Sequence, residues 1–445
     1  MLVYEYKLDA SPAQYARIDE AIRVGQFVRN KCLRLWMDSR GVSANDLQVF
    51  CSRLANDYAF AARLNSQARQ AAADRAWQAI SRFYANCREQ RPGKKGYPQF
   101  RQHCRSAEYK QTGWKLDPDG RHLTFTDGCG IGRVRLVGTR EIATFPPAHI
   151  KRVRLLRRAD GYYAQFAVAA DRHVEHVPTG QRVGIDVGVR AYYTDSDGGT
   201  VDNPHLLRRA EQRLRLLSRR LSRKSWQHKQ GCKPGRNHAA RRRARRNKYP
   251  AAPRPLPAAP DPLQPQPQPQ PQPRHQSANW HKARIVLARR HLTVQRQRED
   301  FARKRANALV SSHDLIALED LQVRNLVRNR RLAKSISDVG WATFRRWVEY
   351  YGRMHGVPVV AVPPQYTSQV CSGCGGLVRK SLSVRTHVCR RCGLVLDRDH
   401  NAARNILAAA VAALGGAVGC AGADDRFPVR RAPDAASGTV GHTGT

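Results

Sequence analysis

Seven residues of this chain carry most of the chemistry that can be read from it. Cys371 and Cys374 form one CxxC knuckle and Cys389 and Cys392 another, with 14 residues between the pairs. A thiolate quartet suits zinc, which takes four soft or borderline ligands in a tetrahedron. The spacing is one residue short of the usual two-knuckle template of roughly 15–20 intervening residues. Gly375 and Gly393 follow the second cysteine of each pair, where the chain often needs a positive φ. With all four positions filled by cysteine, the ion is expected to be structural. Shortly beyond the second knuckle stands Asp399, in DRDHNAARNIL. Two further carboxylates stand at marked places: Asp186 inside the apolar run GIDVG, and Glu319 closing LIAL. A carboxylate deep in an apolar strand is costly unless it is paired or metal-bound, so Asp186 is the most telling of the three. Hard divalent cations such as Mg²⁺ take oxygen ligands and keep waters. Two such ions can activate water and stabilise the leaving oxygen in phosphodiester hydrolysis.

Taken singly, Glu319 reads equally well as a surface charge at a strand end, and Asp399 as a helix N-cap. The ordered set is more specific: a strand Asp, a strand-end Glu and a helix-start Asp fit a ribonuclease-H-like layout. The elements that must hold them are legible in outline. Residues 11–14, Ser-Pro-Ala-Gln, make a capping box with Pro at the first helical position. Tyr15, Ile18, Ile22, Val28 and Leu35 then recur at roughly helical spacing. A second helix is predicted from about Gln67 to Cys87, and RPGKKGYPQFRQ at 91–102 breaks the helical pattern. Leu123 and Phe125 before Asp127-Gly128 predict one hairpin. Val153, Leu155, Asp160-Gly161 and Tyr163 to Val168 predict another. RVGIDVGVRAYYTDSDGGTVDN reads as a buried strand, a tight turn and a second strand. Basic helical sequence follows from about Leu206. Helix resumes from Trp280 to about Ser311, and short apolar strands are predicted at Leu315 to Leu318 and Val359 to Val362.

Charge restricts the partners. The 445 residues hold 78 Lys+Arg against 35 Asp+Glu, a net +43, and repulsion on this scale calls for a polyanionic partner. Nucleic acid is the obvious candidate. Between His205 and Lys248 only Glu211 is acidic, so few i,i+4 partners exist and phosphate binding is favoured. The 11 cysteines are an odd number and the best-placed four look like metal ligands, which argues for a reducing cytosol. No signal peptide is read at MLVYEYKLDASPAQ, and no uncharged apolar run is long enough to cross a bilayer. The QPQPQPQPQP tract, Gln264 to Pro273, is expected to be an extended polyproline-like loop.

GIDVGVRAYY, ALEDLQVRNLVRNRRLAKSISDVGWATFRRWVEYYG, YTSQVCSGCG and LDRDHNAARNIL together resemble the TnpB (OrfB) family encoded by insertion sequences, relatives of type V CRISPR effectors. The resemblance covers most of 182–410 outside the low-complexity stretch and is weaker towards the N-terminus, where GYPQFR at 96–101 carries it. The fold class it implies is α/β plus β: a RuvC-like, ribonuclease-H-like nuclease domain with an inserted zinc ribbon, preceded by a β-barrel wedge domain carrying a helical recognition insert. The implied boundaries are 1–10 and 96–178 for the wedge, 11–95 for the recognition helices and 181–365 for the nuclease. Within the nuclease, 224–279 would be a basic and Pro/Gln insertion; then 366–396 would be the ribbon, 397–415 the final nuclease helix and 416–445 a disordered tail. Asp186, Glu319 and Asp399 fall on the family's catalytic, Mg²⁺-binding positions, and Cys371, Cys374, Cys389 and Cys392 on its zinc ligands. Candidate nucleic-acid contacts are Lys94, Lys95, Arg101, Arg219, Arg220, Arg241, Arg242, Arg243 and Gln369. One departure is REDFARKRANALV, where Arg303 stands in place of the family's His while Lys304 remains. The implied activity is RNA-guided, Mg²⁺-dependent DNA cleavage linked to transposition. Its partners would be a guide RNA from the transposon end and double-stranded target DNA, and its location a prokaryotic cytoplasm near the nucleoid. The competing reading is a non-cleaving DNA- and RNA-binding regulator of transposition. A strand-joining transposase with a nucleophilic tyrosine is disfavoured, since nothing singles out such a tyrosine.

Overall fold

The structure, a computed structural model, describes residues 1–139, 142–227, 276–381 and 383–418. The chain divides into two compact units: Met1–His173 with Leu207–Gln297, and Val174–Leu206 with the sequence from Arg298 onward.

In the first unit, β1 (Leu2–Asp9) runs straight into the predicted capping box. Gln14 N–H donates to Ser11 Oγ at 3.2 Å, and Ser11 N–H donates to Gln14 Oε1 at 3.0 Å. The helix they start is α1 (Pro12–Asp38), followed by α2 (Ala44–Asp57), the short α3 (Ala59–Ala62) and α4 (Ser66–Arg88). Ile18, Ala21 and Ile22 of α1 pack on the sheet core, while Val28, Cys32, Leu33 and Trp36 join α2 and α4 in a second cluster. One long helix thus serves two cores by its 3.6-residue period. Six strands follow: β2 (Ser106–Tyr109), β3 (Trp114–Leu116), β4 (His122–Phe125), β5 (Gly132–Val137), β6 (Ile150–Arg158) and β7 (Gly161–Val168). Both predicted hairpins form, β4 with β5 and β6 with β7, the latter closing at Arg158↔Gly161.

The seven strands lie in the order β2-β6-β7-β1-β5-β4-β3. The barrel expected here is not closed: β2 and β3 are the two ends of the order, and no pairing joins them among the described residues. The end strands are only 4 and 3 residues long, and one edge is occupied by a side chain. Arg75 of α4 donates to Ser106 O at 3.2 Å, satisfying a group that a closing strand would have paired.

The second unit is built on a five-stranded sheet. Its strands are β8 (Arg182–Val187), β9 (Ala191–Asp195), β10 (Thr200–Asp202), β11 (Leu315–Glu319) and β12 (Val359–Val362), in the order β10-β9-β8-β11-β12. β8, β11 and β12 are parallel, and β9 is antiparallel to β8. In the sequence between them come α5 (Leu206–Gln227), α6 (Ala278–Ser311), α7 (Val323–Leu326), α8 (Ala333–Val339) and α9 (Trp341–His355). A two-stranded ribbon, β13 (Thr386–Val388) with β14 (Val395–Asp397), leads into α10 (Arg398–Val418).

Alternation along the strands sorts the two faces. Val183, Ile185, Ile316 and Leu318 pack with Ala302, Ala306 and Val310 of α6 and Phe344 and Val348 of α9. The intervening positions turn to the other face, where Ala317 and Val362 meet Ile406 and Ala410 of α10. Gly184 lies under that helix: a Cβ at this position would stand 2.1 Å from Ala403 O and 2.7 Å from Leu407 N. Helix backbone therefore rests on strand backbone. Gly184→Ala is expected to force the two apart and lower unfolding stability by about 1–3 kcal/mol or more, the usual cost of overpacking. Denaturant unfolding of the full chain checks this; an unchanged midpoint would show that α10 is not seated there.

Candidate functional site

Asp186 follows Gly184 by two residues on β8, and Glu319 follows Ala317 by two on β11, so the period of two turns both towards the α10 face. The strands are parallel with Leu318↔Ile185 in register, so the next step along each is Glu319 beside Asp186, at the carboxyl ends. α10 brings the third carboxylate. Asp399 lies in its first turn, where its N–H donates to Asp397 Oδ1 at 2.8 Å. The Asp186 side chain keeps a small opening to solvent while protein surrounds it on nearly every side. Burial, then the charge of Glu319, then that of Asp399, push its carboxyl well above the usual range, with Arg398 opposing. Burial also raises Glu319, opposed by a hydrogen bond from Thr367 Oγ1 at 2.6 Å.

Asp399 is held differently. Arg385, just ahead of β13, reaches Oδ2 at 3.1 Å, and Arg398 reaches Oδ1 through Nη2 at 3.0 Å and Nε at 3.1 Å. Two guanidiniums thus share one carboxylate. Hard oxygen donors at two strand ends and a helix start, repelling one another where solvent is scarce, make a donor set suited to a divalent cation. Even so, the triad is absent from the sets of three or more potential ligand atoms lying within 4.8 Å of one another among the described residues.

The cysteines do form such a set. All four Sγ atoms lie within 4.8 Å of each other, with Cys371–Cys392 and Cys374–Cys389 at 3.6 Å. Zn–S bonds of about 2.3 Å in a tetrahedron give edges of roughly 3.8 Å, so the quartet could hold zinc with little adjustment. Gly375 and Gly393 have φ of 70° and 77°, as their places after each knuckle predict. The backbone N–H of Cys392 draws the Cys389 thiol down, while the neighbouring sulfurs push Cys392 up, as expected of thiols that share one proton-poor site. Asp117, Asp119 and His122 form a second compact set, in the turn before β4, where Arg133 takes Asp117 and His122 takes Asp119.

Five positions near the carboxylates escaped the sequence reading: Thr367, Arg385, Arg398, Asn401 and Asn405. Asn401 is fully buried; its Oδ1 accepts from Ser372 N–H at 2.9 Å and its Nδ2 donates to Val370 O at 2.8 Å. Asn405 Nδ2 donates to Thr367 O and Val370 O, both at 2.7 Å. These two side chains fasten the segment that leads into the knuckles to α10, and Thr367 in that segment holds Glu319. A signal existed, because asparagines four apart inside a helix are poor helix formers and suit side-chain-to-backbone bonds. Arg385 offered none.

The expected nucleic-acid contacts are dispersed. Lys94 and Arg101 are exposed in the irregular stretch after α4, Lys95 is half-buried, and the Arg101 backbone is gripped by Asn30. Arg219 and Arg220 are exposed on α5. Gln369 is half-buried, and its backbone closes the first knuckle through Val378 N–H to Gln369 O at 2.9 Å. Arg241, Arg242, Arg243, the Pro/Gln tract and nearly all of 416–445 lie outside the described residues.

Two family models match the chain. One, OrfB_IS605, described as "Probable transposase", covers 165–252 and 270–330; the other, "Cas12f1-like, TNB domain", covers 341–406. Over these segments the chain is similar to OrfB, TnpB-like proteins. It is 34% identical over 233 residues to a "Putative RNA-guided DNA endonuclease" of Streptomyces pristinaespiralis, covering 52% of this chain and 46% of that protein. The match therefore spans about half of that relative's length. It is 26% identical over 352 residues to "Putative RNA-guided DNA endonuclease InsQ" of Escherichia coli (strain K12), covering 75% and 73% of the two chains. Among solved structures, a Cas12f1–sgRNA–target DNA complex aligns over 88% of this chain and 82% of its own, with TM-score 0.46 and 12% identity.

Two outcomes check the site. Purified protein should carry about one zinc per chain, as four-cysteine sites do. By elemental analysis Cys371→Ser or Cys389→Ser should lose it, and full zinc content in both variants would exclude the quartet. Arg385→Gln should tighten divalent-cation binding several-fold, because one positive charge is removed from beside Asp399. Calorimetric titration with Mn²⁺ reads this, and unchanged or weaker binding would show that the guanidinium does not oppose the cation.

Proposed function

We propose that this chain is a transposon-encoded, RNA-guided DNA endonuclease. In this reading Asp186, Glu319 and Asp399 hold Mg²⁺ in a RuvC-like site, and a zinc-bound ribbon engages the target. The observation that carries it is the carboxylate cluster: two buried acids whose charges oppose each other, beside a third at a helix start. Support comes also from the relatives, whose names describe RNA-guided DNA endonucleases. Among the described residues no helix is long and apolar enough to cross a membrane, and a net +43 suits a chain that carries nucleic acid.

Bound Mg²⁺ would supply Lewis acidity, lowering the pKa of an attacking water and offsetting charge on the leaving oxygen. The protein's part is positional. Asp186 and Glu319 are fixed by the sheet, and Thr367 sets the orientation of Glu319. Arg398 and Arg385 orient Asp399 through the contacts given above. Base pairing would read the sequence, while protein reads backbone and shape.

Asp186→Ala, Glu319→Ala or Asp399→Ala should each abolish Mg²⁺-dependent cleavage of a guide-matched duplex and leave co-purified RNA in place. Full cleavage by any one of them would remove that residue from the site. A second test needs no activity. Because the Asp186 pKa is raised in the folded protein, its ionisation costs stability once the pH climbs above the ordinary Asp range, near 3.9. In Mg²⁺-free buffer Asp186→Asn should therefore match the wild type below that range and exceed it in Tm at neutral pH. Added Mg²⁺ should raise the wild-type Tm and leave the variant's unchanged. A variant less stable than wild type at pH 7 would contradict the burial argument. For RNA, replacing Arg219 and Arg220 by Ser should lower the slope of log affinity against log salt by about 1.4–1.8, two counterions' worth. An unchanged slope would place the RNA elsewhere.

A further inference from the structure

A cavity of about 270 Å³ borders Glu319 on the side away from α10. Val187 and Leu318 line it from the sheet, and Trp341, Phe344, Arg345 and Arg346 from α9. Its aromatic walls are fixed. The Trp341 Nε1–H donates to Gly188 O at 3.1 Å, tying the indole to the backbone two residues past Asp186. Phe344 is buried and stacks on Tyr193, with ring centres 5.6 Å apart and planes 19° apart. The charges at the rim are of both signs. Arg345 is held by Asp320 at 2.5 Å and Glu349 at 2.8 Å, whereas Arg346 lies largely in solvent and meets Glu299 at 3.1 Å.

The occupant follows from this chemistry. Sites for drug-sized molecules run from about 300 to 1,000 Å³, so this one is sized for a single small ring system. A rigid indole with aromatic and aliphatic neighbours favours a flat, polarisable ring. Arg345 and Arg346 disfavour a bare cation, and Glu319, Glu349 and Asp320 disfavour an anion deep in the cavity. A nucleobase, with its phosphates turned out of the cavity towards the exposed Arg346 at the rim, meets every condition. We propose that Trp341 is a stacking platform for one base of the DNA strand being cut, next to the scissile phosphate, and that it sets where along the strand the carboxylates act. This rests on the nuclease reading above and extends it: Glu319 belongs to both the carboxylate cluster and the cavity wall, so a strand whose phosphate meets one presents a neighbouring base to the other. Base–aromatic stacking tolerates any sequence, since every base has a π-face. Trp341 thus fixes register without choosing bases.

The test uses the full chain, purified with the RNA it carries, and single-stranded DNA probes in which one 2-aminopurine is walked through the strand. Wild-type protein should quench the fluorophore strongly at one position. Trp341→Phe should keep the quench, and Trp341→Ala should lose it with an unchanged far-UV spectrum. In cleavage, an abasic residue at that same position should slow the wild type about tenfold, the scale of one lost stack. It should slow Trp341→Ala no further, because the stack is already gone. Uniform fluorescence at every position, or an abasic penalty that persists in Trp341→Ala, overturns the proposal. Failure of the wild type to cut any DNA would instead refute the nuclease reading, while the fluorescence walk would still decide whether a base enters the cavity.

Discussion

The second unit depends on one close approach, that of α10's backbone to β8 at Gly184. A hydrogen atom in place of a methyl group lets the helix lie directly on the strand, and the helix start then falls at the strand's carboxyl end. Every later feature of the site uses that placement. Asp399 comes beside Asp186 because the helix begins there. Asn401 and Asn405 reach the segment leading into the knuckles from that same helix. Thr367, fastened by Asn405, holds Glu319. A local steric fact thus governs the relation of three carboxylates drawn from positions 186, 319 and 399.

The electrostatics of the chain are arranged on two scales. At low ionic strength the excess of 43 positive charges dominates over tens of ångströms, and at physiological strength salt confines it to roughly 8–10 Å. Within the site the sign reverses: burial and mutual repulsion raise Asp186, and Arg398 opposes this. Arg385 and Arg398 both pair with Asp399, and Arg398 also opposes the upward shift of Asp186. That arrangement is a property of side-chain placement and could not be inferred from composition.

Local signals in the sequence translated well because their physics is local. The capping box at Ser11, the Asp160-Gly161 hairpin and the apolar runs at Val183–Ile185 and Leu315–Leu318 each need only a few neighbouring residues to act. The REDF departure is of the same kind: Arg303 and Lys304 both turn to Asp300, at 3.2 Å and 2.9 Å, within one helical turn. What the sequence concealed required distant partners. The first strand of the chain ends up between β7 and β5, strands formed far later in sequence. The sheet is open with Arg75 bonded to an edge carbonyl, and Arg385 meets Asp399 across the ribbon. The resemblance to TnpB-like proteins supplied the triad's membership, whereas the alternation along β8 and β11 supplies the physical reason that two of its members share a face.

Gly184 also bears on how such a gene would decay. Substitutions that disturb the helix-on-strand seat act on folding itself, so they remove the protein and its chemistry together. Replacements at Asp186 relieve a buried charge and leave the seat intact. Under the proposed function, erosion by the second route would be silent in solubility and abundance, and would yield a well-folded, strongly basic chain that binds nucleic acid without cutting it. On that same reading, chains under weak selection for cleavage should accumulate silenced binders more readily than unfolded remnants.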